Sequence, residues 1–240
     1  MTDRHPIEPE VFELLRQTAP ATVSHEVLKL GIRNCFMRGV RPLKPGLRVL
    51  GRALTLRFLP TREDVAARLE QPEHRHENIH RIAIEAVRPG DVLVIDGRGQ
   101  TEAGIVGDVL TARVRYLGGA GIVTDGGIRD SAEVKSMDFP VFCGGVHGAI
   151  SPVLHWASDY NQPIQCGGTL VLPGDIIFGD DDGVVVIPQQ LAAEVAARAA
   201  EHERMDATSR RHVEAGIPIS RAYPLAGDLL EEFRRQLKES

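Results

Sequence analysis

The chain has 240 residues, a formal net charge of −5, and 42% hydrophobic against 25% charged residues. This is ordinary globular composition, with no basic face for nucleic acid or anionic membrane and no apolar run approaching ~20 residues. The opening stretch, MTDRHPIEPEVFELL, has no signal-peptide core, so a cytoplasmic protein is expected. Cys35, Cys143 and Cys166 lack CxxC spacing, which favours buried free thiols over a disulfide framework or a zinc site. Only four lysines stand against 24 arginines. A Schiff-base enzyme needs a desolvated lysine, so the composition shifts weight toward metal-based carbonyl chemistry.

In chain order, PEVFELLRQTAPATVSHEVLKLG has helical apolar spacing broken near Pro20. Thr22 or Ser24 is the candidate cap for a second helix ending at Gly31. GLRVLGRALTLRFLP alternates as a strand and stops at Pro60. The polar stretch Thr61 to Glu77 reads as a surface loop, with His74 and His76 solvated. NIHRIAIEAVRPGD predicts a helix closed by Pro-Gly, and VLVIDG a buried strand. A helix is expected from near Asp108, then a strand over AGIVTDGG, a short helix over SAEVKSMD and a strand over FPVFCGGV. Alternating helices and strands mark α/β architecture with parallel strands. After Val146, PIQCGGTLVLPGDIIFGDDDGVVVIP predicts short antiparallel strands with Pro-Gly and Asp-Gly turns. An Ala-rich helix follows from Gln189 to about Ser209. The expected fold is α/β: one compact domain over residues 1–240, with central β structure, flanking helices, and a C-terminal helix and arm over 189–240.

Several constellations have chemical potential. In GDVL, Gly107 to Leu110, a glycine precedes an aspartate where a helix begins. Free N–H groups there bind a small carboxylate, although Asp108 as a simple cap is the plainer reading. In DGGIRD, Arg129 offers a planar fork suited to a carboxylate or an α-keto acid. Asp130 is a hard oxygen ligand suited to Mg²⁺, and a structural Arg–Asp pair is the alternative. VIDGRGQ lacks the third glycine of a phosphate loop and reads as a pocket rim. GDDDG lacks calcium-loop spacing and reads as a charged hairpin turn. His80 faces either the same cleft or, more plainly, the surface or core.

The run GDVLTARVRYLGGAGIVTDGGIRD, with Asp108 and Arg129 21 positions apart, resembles the RraA-like family (regulator of ribonuclease activity A). That family includes 4-hydroxy-4-methyl-2-oxoglutarate aldolases. The resemblance extends through RPGDVLVIDG, FPVFCGG and LPGDIIFGDDDGVVVIP, over roughly residues 20 to 205. It implies a metal-dependent C–C lyase, a class II pyruvate aldolase cleaving a 4-hydroxy-2-oxo acid, with oxaloacetate decarboxylation as a side activity. The backbone of Gly107, Asp108, Val109 and Leu110 would hold the pyruvate carboxylate, and Arg129 the keto oxygen and carboxylate. Asp130 would anchor Mg²⁺ or Mn²⁺ largely through water, and Asp108 would act on a water near the bond being broken. His80 matches a pocket histidine. Glu201 or Glu203 of a neighbouring subunit would reach the metal, in a homotrimer or homohexamer. The aldolases carry a lysine in the loop that here reads HGAISPVLHW, where His147 and His155 stand instead. Two rivals accompany this reading: a ribonuclease-masking binding protein, and a lyase or decarboxylase of sugar-acid-derived 2-oxo acids. A methyltransferase is disfavoured, because no glycine-rich strand–loop–helix stands near the N-terminus.

Overall fold

The computed structural model describes residues 7–239. The outermost ends of the expected domain, residues 1–6 and Ser240, lie outside the described residues. The chain opens with α1 (Pro9–Arg16) and α2 (Pro20–Lys29), then β1 (Arg41–Pro42), the long β2 (Val49–Pro60), α3 (Glu63–Glu70) and α4 (Ile79–Glu85). The middle runs β3 (Asp91–Asp96), β4 (Gly104–Val106), α5 (Asp108–Tyr116), β5 (Gly121–Thr124), β6 (Gly127–Ile128), α6 (Ser131–Ser136), β7 (Val141–Cys143) and β8 (Gly145–Val146). Then come β9 (His155–Tyr160), β10 (Ile164–Cys166), β11 (Thr169–Val171), β12 (Ile176–Asp180) and β13 (Gly183–Ile187). The helices α7 (Ala192–Glu214), α8 (Ile219–Ala222) and α9 (Gly227–Glu239) finish the described chain.

The main sheet has strand order β1-β7-β5-β3-β2-β12-β13, with β9 pairing the far end of β2. The β2, β3, β5 and β7 pairs are parallel, as the helix–strand alternation predicts, and β12 joins β2 antiparallel. Every residue of β3 is buried. Side chains alternate across a strand, so Leu93 and Ile95 join Ala83, Ile84, Val114 and Val134 from the helical layer. Val92 and Val94 meet Met37, Phe142, Ile164 and Val184 on the opposite face. A sheet covered on both faces gives the continuous apolar run seen in the sequence. The helices α1, α2 and α7 pack a third cluster over Phe178, Val185 and Ile187.

Two expectations are corrected. Thr61 to Glu77 is not a loop: α3 and a 3₁₀ segment over Pro72–Glu77 occupy it. Glu63 and Asp64 in the first turn and Arg68 in the last suit the helix dipole. His76 is exposed, whereas His74 is half-buried and pairs with Glu77 at 2.9 Å. Neither Thr22 nor Ser24 caps α2. That helix starts at Pro20, whose missing N–H costs nothing at the first position, and Ala19 N donates instead to Glu203 Oε1 at 2.9 Å. All three cysteines are buried and free. GDDDG is the β12–β13 hairpin turn. The C-terminal arm is helical and packs Leu225, Leu229 and Phe233 against Met205 and Ile217.

Candidate active site

A second, small sheet carries the candidate residues. Strands β4, β6 and β8 pair in parallel, with Gly104, Gly127 and Gly145 in register. Their carboxyl ends lead into Gly107–Asp108, Arg129–Asp130 and His147. Parallel sheets bind ligands beyond the carboxyl ends of their strands. Glycine is required in two of these places by close approach. A Cβ on Gly104 would lie 2.0 Å from Arg129 Cγ, so the arginine runs across the bare backbone of β4. A Cβ on Gly107 would lie 2.4 Å from Asp130 Oδ2, so the carboxylate rests on the residue that opens α5.

Gly107 is the N-cap of α5 and brings no side chain to cap that end. Asp108 occupies the first helical position rather than the cap, and its Oδ1 accepts from Val109 N at 2.7 Å. The other first-turn N–H groups and the positive end of the helix dipole favour an anion here. Leu110 packs on the helical core, whereas Val109 is 73% exposed. Arg129 is fixed by its backbone N–H, which donates to Val106 O at 2.9 Å. Its Nη2 stands 3.9 Å from Asp130 Oδ1, a loose pair, and its buried Nε has no partner. The guanidinium is therefore not consumed by its neighbour. Asp130 is held in the left-handed region, φ 52°, as the N-cap residue of α6. A non-glycine there is uncommon and points to a constraint on side-chain placement.

His80 and His155 stand in a cleft of about 470 Å³ that also has Arg81, Ser151 and Trp156 in its walls. Their rings stand T-shaped to Phe58 at centroid distances of 5.1 and 5.8 Å. Burial pushes the His80 imidazole down to about 4, with the Arg81 charge adding to it. Burial, then the Arg98 charge, brings His155 to about 4 as well. The cleft adjoins the small sheet: Gly104 N donates to Ala149 O at 2.8 Å, and Ile150 pairs with Gly104. His147, at the end of β8, donates its backbone N–H to Ile128 O beside Arg129.

Thus Gly107, Arg129 and Asp130 are in mutual contact, Asp108 to Leu110 form the adjoining helix end, and His80 lines a neighbouring cleft. Glu203 lies on α7, which packs against α1 and α2. Within one chain it serves the start of α2. VIDGRGQ lines a different pocket, where Arg98 and Gly99 adopt positive φ and Asp96 accepts from Arg98 N. Sequence reasoning did not place His155 and Trp156 beside His80. The only cue was the alternation of HWASDY, which marks a strand.

An Arg–Asp pair is folded onto a glycine-opened helix end on a small parallel sheet, an arrangement whose chemistry suits a small anion. The model for the RraA-like family (Aldolase/RraA) matches residues 20–186, and the chain belongs to that family. It is 39% identical over 141 residues, 59% of this chain and 67% of the relative, to a protein of Halalkalibacterium halodurans named "Putative 4-hydroxy-4-methyl-2-oxoglutarate aldolase". The structure of Streptomyces coelicolor RraAS2, described as an unusual member of the RNase ES inhibitor RraA family, superposes with TM-score 0.78 at 36% identity. That match covers 86% of this chain and all of the other. An uncharacterized protein from Pseudomonas syringae pv. tomato superposes with TM-score 0.80 at 26% identity, covering 92% and 96%. Among the described residues, no helix is long and apolar enough to cross a membrane.

Proposed function

We propose that the chain is a divalent-metal-dependent C–C lyase. It cleaves a 4-hydroxy-2-oxo acid to pyruvate and a carbonyl product, and decarboxylates oxaloacetate as a side reaction. The observation that carries this reading is the packing of Arg129 and Asp130 onto Gly104 and Gly107 at the open end of α5. The likeness to the Halalkalibacterium protein supports it.

The residues fit a magnesium-like cation. Among the described residues no group of three or more metal-binding side chains gathers, but Mg²⁺ keeps several waters and takes one or two carboxylates. Asp130, about one-third exposed, supplies one. Glu203 or Glu201 of a neighbouring copy would complete the site in a trimer or hexamer. The cation, Mg²⁺ or Mn²⁺, would polarise the keto oxygen as a Lewis acid. The N–H groups opening α5 hold the substrate carboxylate. Arg129 donates to the keto oxygen and stabilises the negative charge that grows there as the C3–C4 bond breaks. Asp108 takes the proton of the 4-hydroxyl through a water that it orients, and the same pair returns a proton to C3 of the enolate. The C3–C4 electron pair enters the pyruvate enolate, which is protonated at C3, and C4 leaves as a carbonyl.

The test is pyruvate release from oxaloacetate and 4-hydroxy-4-methyl-2-oxoglutarate with Mg²⁺, with EDTA, and with Arg129→Ala. Metal-dependent release lost in the variant supports the lyase. No pyruvate from folded, metal-supplied protein sinks it. The likeness to RraAS2 favours a second reading, a ribonuclease-binding protein, which capture of ribonuclease E by the immobilised chain would test.

A further inference from the structure

The cleft beside the candidate active site contains an unusual set of polar groups. His80 Nε2, His155 Nε2 and Trp156 Nε1 are buried, and none has a hydrogen-bond partner. All three residues line the same cleft. Buried side-chain nitrogens are nearly always paired, so three unpaired ones in one cavity mark a place where a ligand or water supplies the partners.

The tautomers say what kind of ligand. Arg98 Nη2 lies 3.2 Å from His155 Nδ1 and donates to Leu154 O at 2.8 Å. A guanidinium only donates, so Nδ1 accepts and the proton of the neutral ring sits on Nε2. An interaction of the His155 ring with the Gln100 backbone works the other way and favours the protonated ring, but it is the smallest of the three influences. Trp156 Nε1 is a donor only. The inner wall therefore presents two neutral donors and, at His80, a nitrogen able to take either role. Both imidazoles stay neutral at pH 7, being held near 4. Arg81, which lines the cleft, is exposed. A carboxylate at the inner wall would lose its water against neutral donors, with the Arg98 guanidinium one ring further back and already donating to Leu154 O and His155 Nδ1. Hydroxyl groups donate and accept without charge, and the rings of Phe58 and Trp156 supply apolar surface for the C–H faces between them.

We infer that this cleft binds a polyhydroxylated tail. The preferred substrate is then a 4-hydroxy-2-oxo acid carrying further hydroxyls at C5 and C6, rather than a dicarboxylate. This rests on the proposed lyase reading. The segment from Ala149 to Ser151 joins the two parts, since its start pairs with Gly104 under Arg129 and its end forms the cleft wall. Cleavage of C3–C4 releases pyruvate and a hydroxyaldehyde, with no further reactant.

The experiment compares kcat/KM for the 5,6-dihydroxylated substrate and its 5,6-dideoxy counterpart, with oxaloacetate as a substrate lacking the tail. The wild-type protein should prefer the hydroxylated compound by at least ~10-fold, because donors left unpaired penalise the deoxy chain. In His155→Phe the ratio should fall toward one. A wild-type ratio near one, or a ratio unchanged in His155→Phe, overturns the inference while pyruvate from oxaloacetate keeps the lyase reading. Silence on every substrate removes the lyase reading instead. The cleft is then decided by fluorescence, as it is if the variant does not fold, because Trp156 is the single tryptophan of the chain. Titrating wild-type protein with gluconate should give a saturable change that equal glutarate does not. Equal responses, or none, overturn the inference.

Discussion

Gly107→Ala isolates the placement of one carboxylate. The new methyl would start 2.4 Å from Asp130 Oδ2, and carbon–oxygen contacts of this kind are not found under 3.0 Å. The carboxylate must therefore retreat by at least about 0.6 Å, more than the ~0.5 Å within which a functional constellation must be held. The backbone has no objection: Gly107 sits at φ −115°, ψ −166°, extended geometry that alanine adopts freely. Replacing glycine at a compatible position even stabilises by about 0.4–1 kcal/mol through the unfolded chain. Asp130 is about one-third exposed and free to swing, so relief comes from the side chain rather than the fold. The expected outcome is an unchanged or slightly raised thermal midpoint. Pyruvate release should fall on the order of 10²-fold, the cost of a misplaced catalytic geometry, with a higher Mg²⁺ concentration for half-activation. The assay is oxaloacetate decarboxylation across a Mg²⁺ series beside a thermal melt. Wild-type rate and metal dependence in a folded variant would refute the role of Asp130. A matching loss of fold and rate would refute the claim that the clash is local.

Arg129→Lys keeps the charge but loses the planar fork, and kcat/KM should drop ~10²-fold with the melt unchanged. Glu203→Gln keeps the acceptor for Ala19 N and should hold stability, whereas Glu203→Ala should lose about 1 kcal/mol by denaturant titration. If Glu203 also reaches a neighbour's metal, Glu203→Gln loses activity while staying folded; retained activity removes it from the metal set. His80 and His155 are held near 4 against 6.5 for the free ring, so the unfolded chain binds more protons between those values. Stability is then fully present above pH 6.5 and drains as pH falls toward 4, by up to about 1.4 kcal/mol per pH unit for each ring. Urea midpoints from pH 7 to 5 should follow this slope, and His80→Phe should roughly halve it. A flat profile would show that neither ring is held neutral by the fold.

The main sheet was legible because its strands are long or wholly apolar. VLVIDG and GRALTLRFLP carry their own pattern, and helices such as IHRIAIE announce themselves with an Asn cap. The small sheet was not legible. Its strands have three, two and two residues, too short for any period to show, and each places a glycine in register where a side chain would have spoken. Those glycines exist because the backbone must come close: Gly127 would carry its Cβ 2.6 Å from Ala103 O, and Gly104 leaves room for Arg129. The spacing of GDVL and GGIRD therefore marked the candidate residues, while the reason they meet lay in contacts between segments more than twenty positions apart. The same holds for His80 and His155, which stand 75 positions apart in the chain. Phe58 packs edge-to-face with both rings from near the far end of β2, and only strand pairing of β9 with β2 brings His155 there. A residue type and its local spacing limit what a site can do; the register of strands decides which of those residues share it.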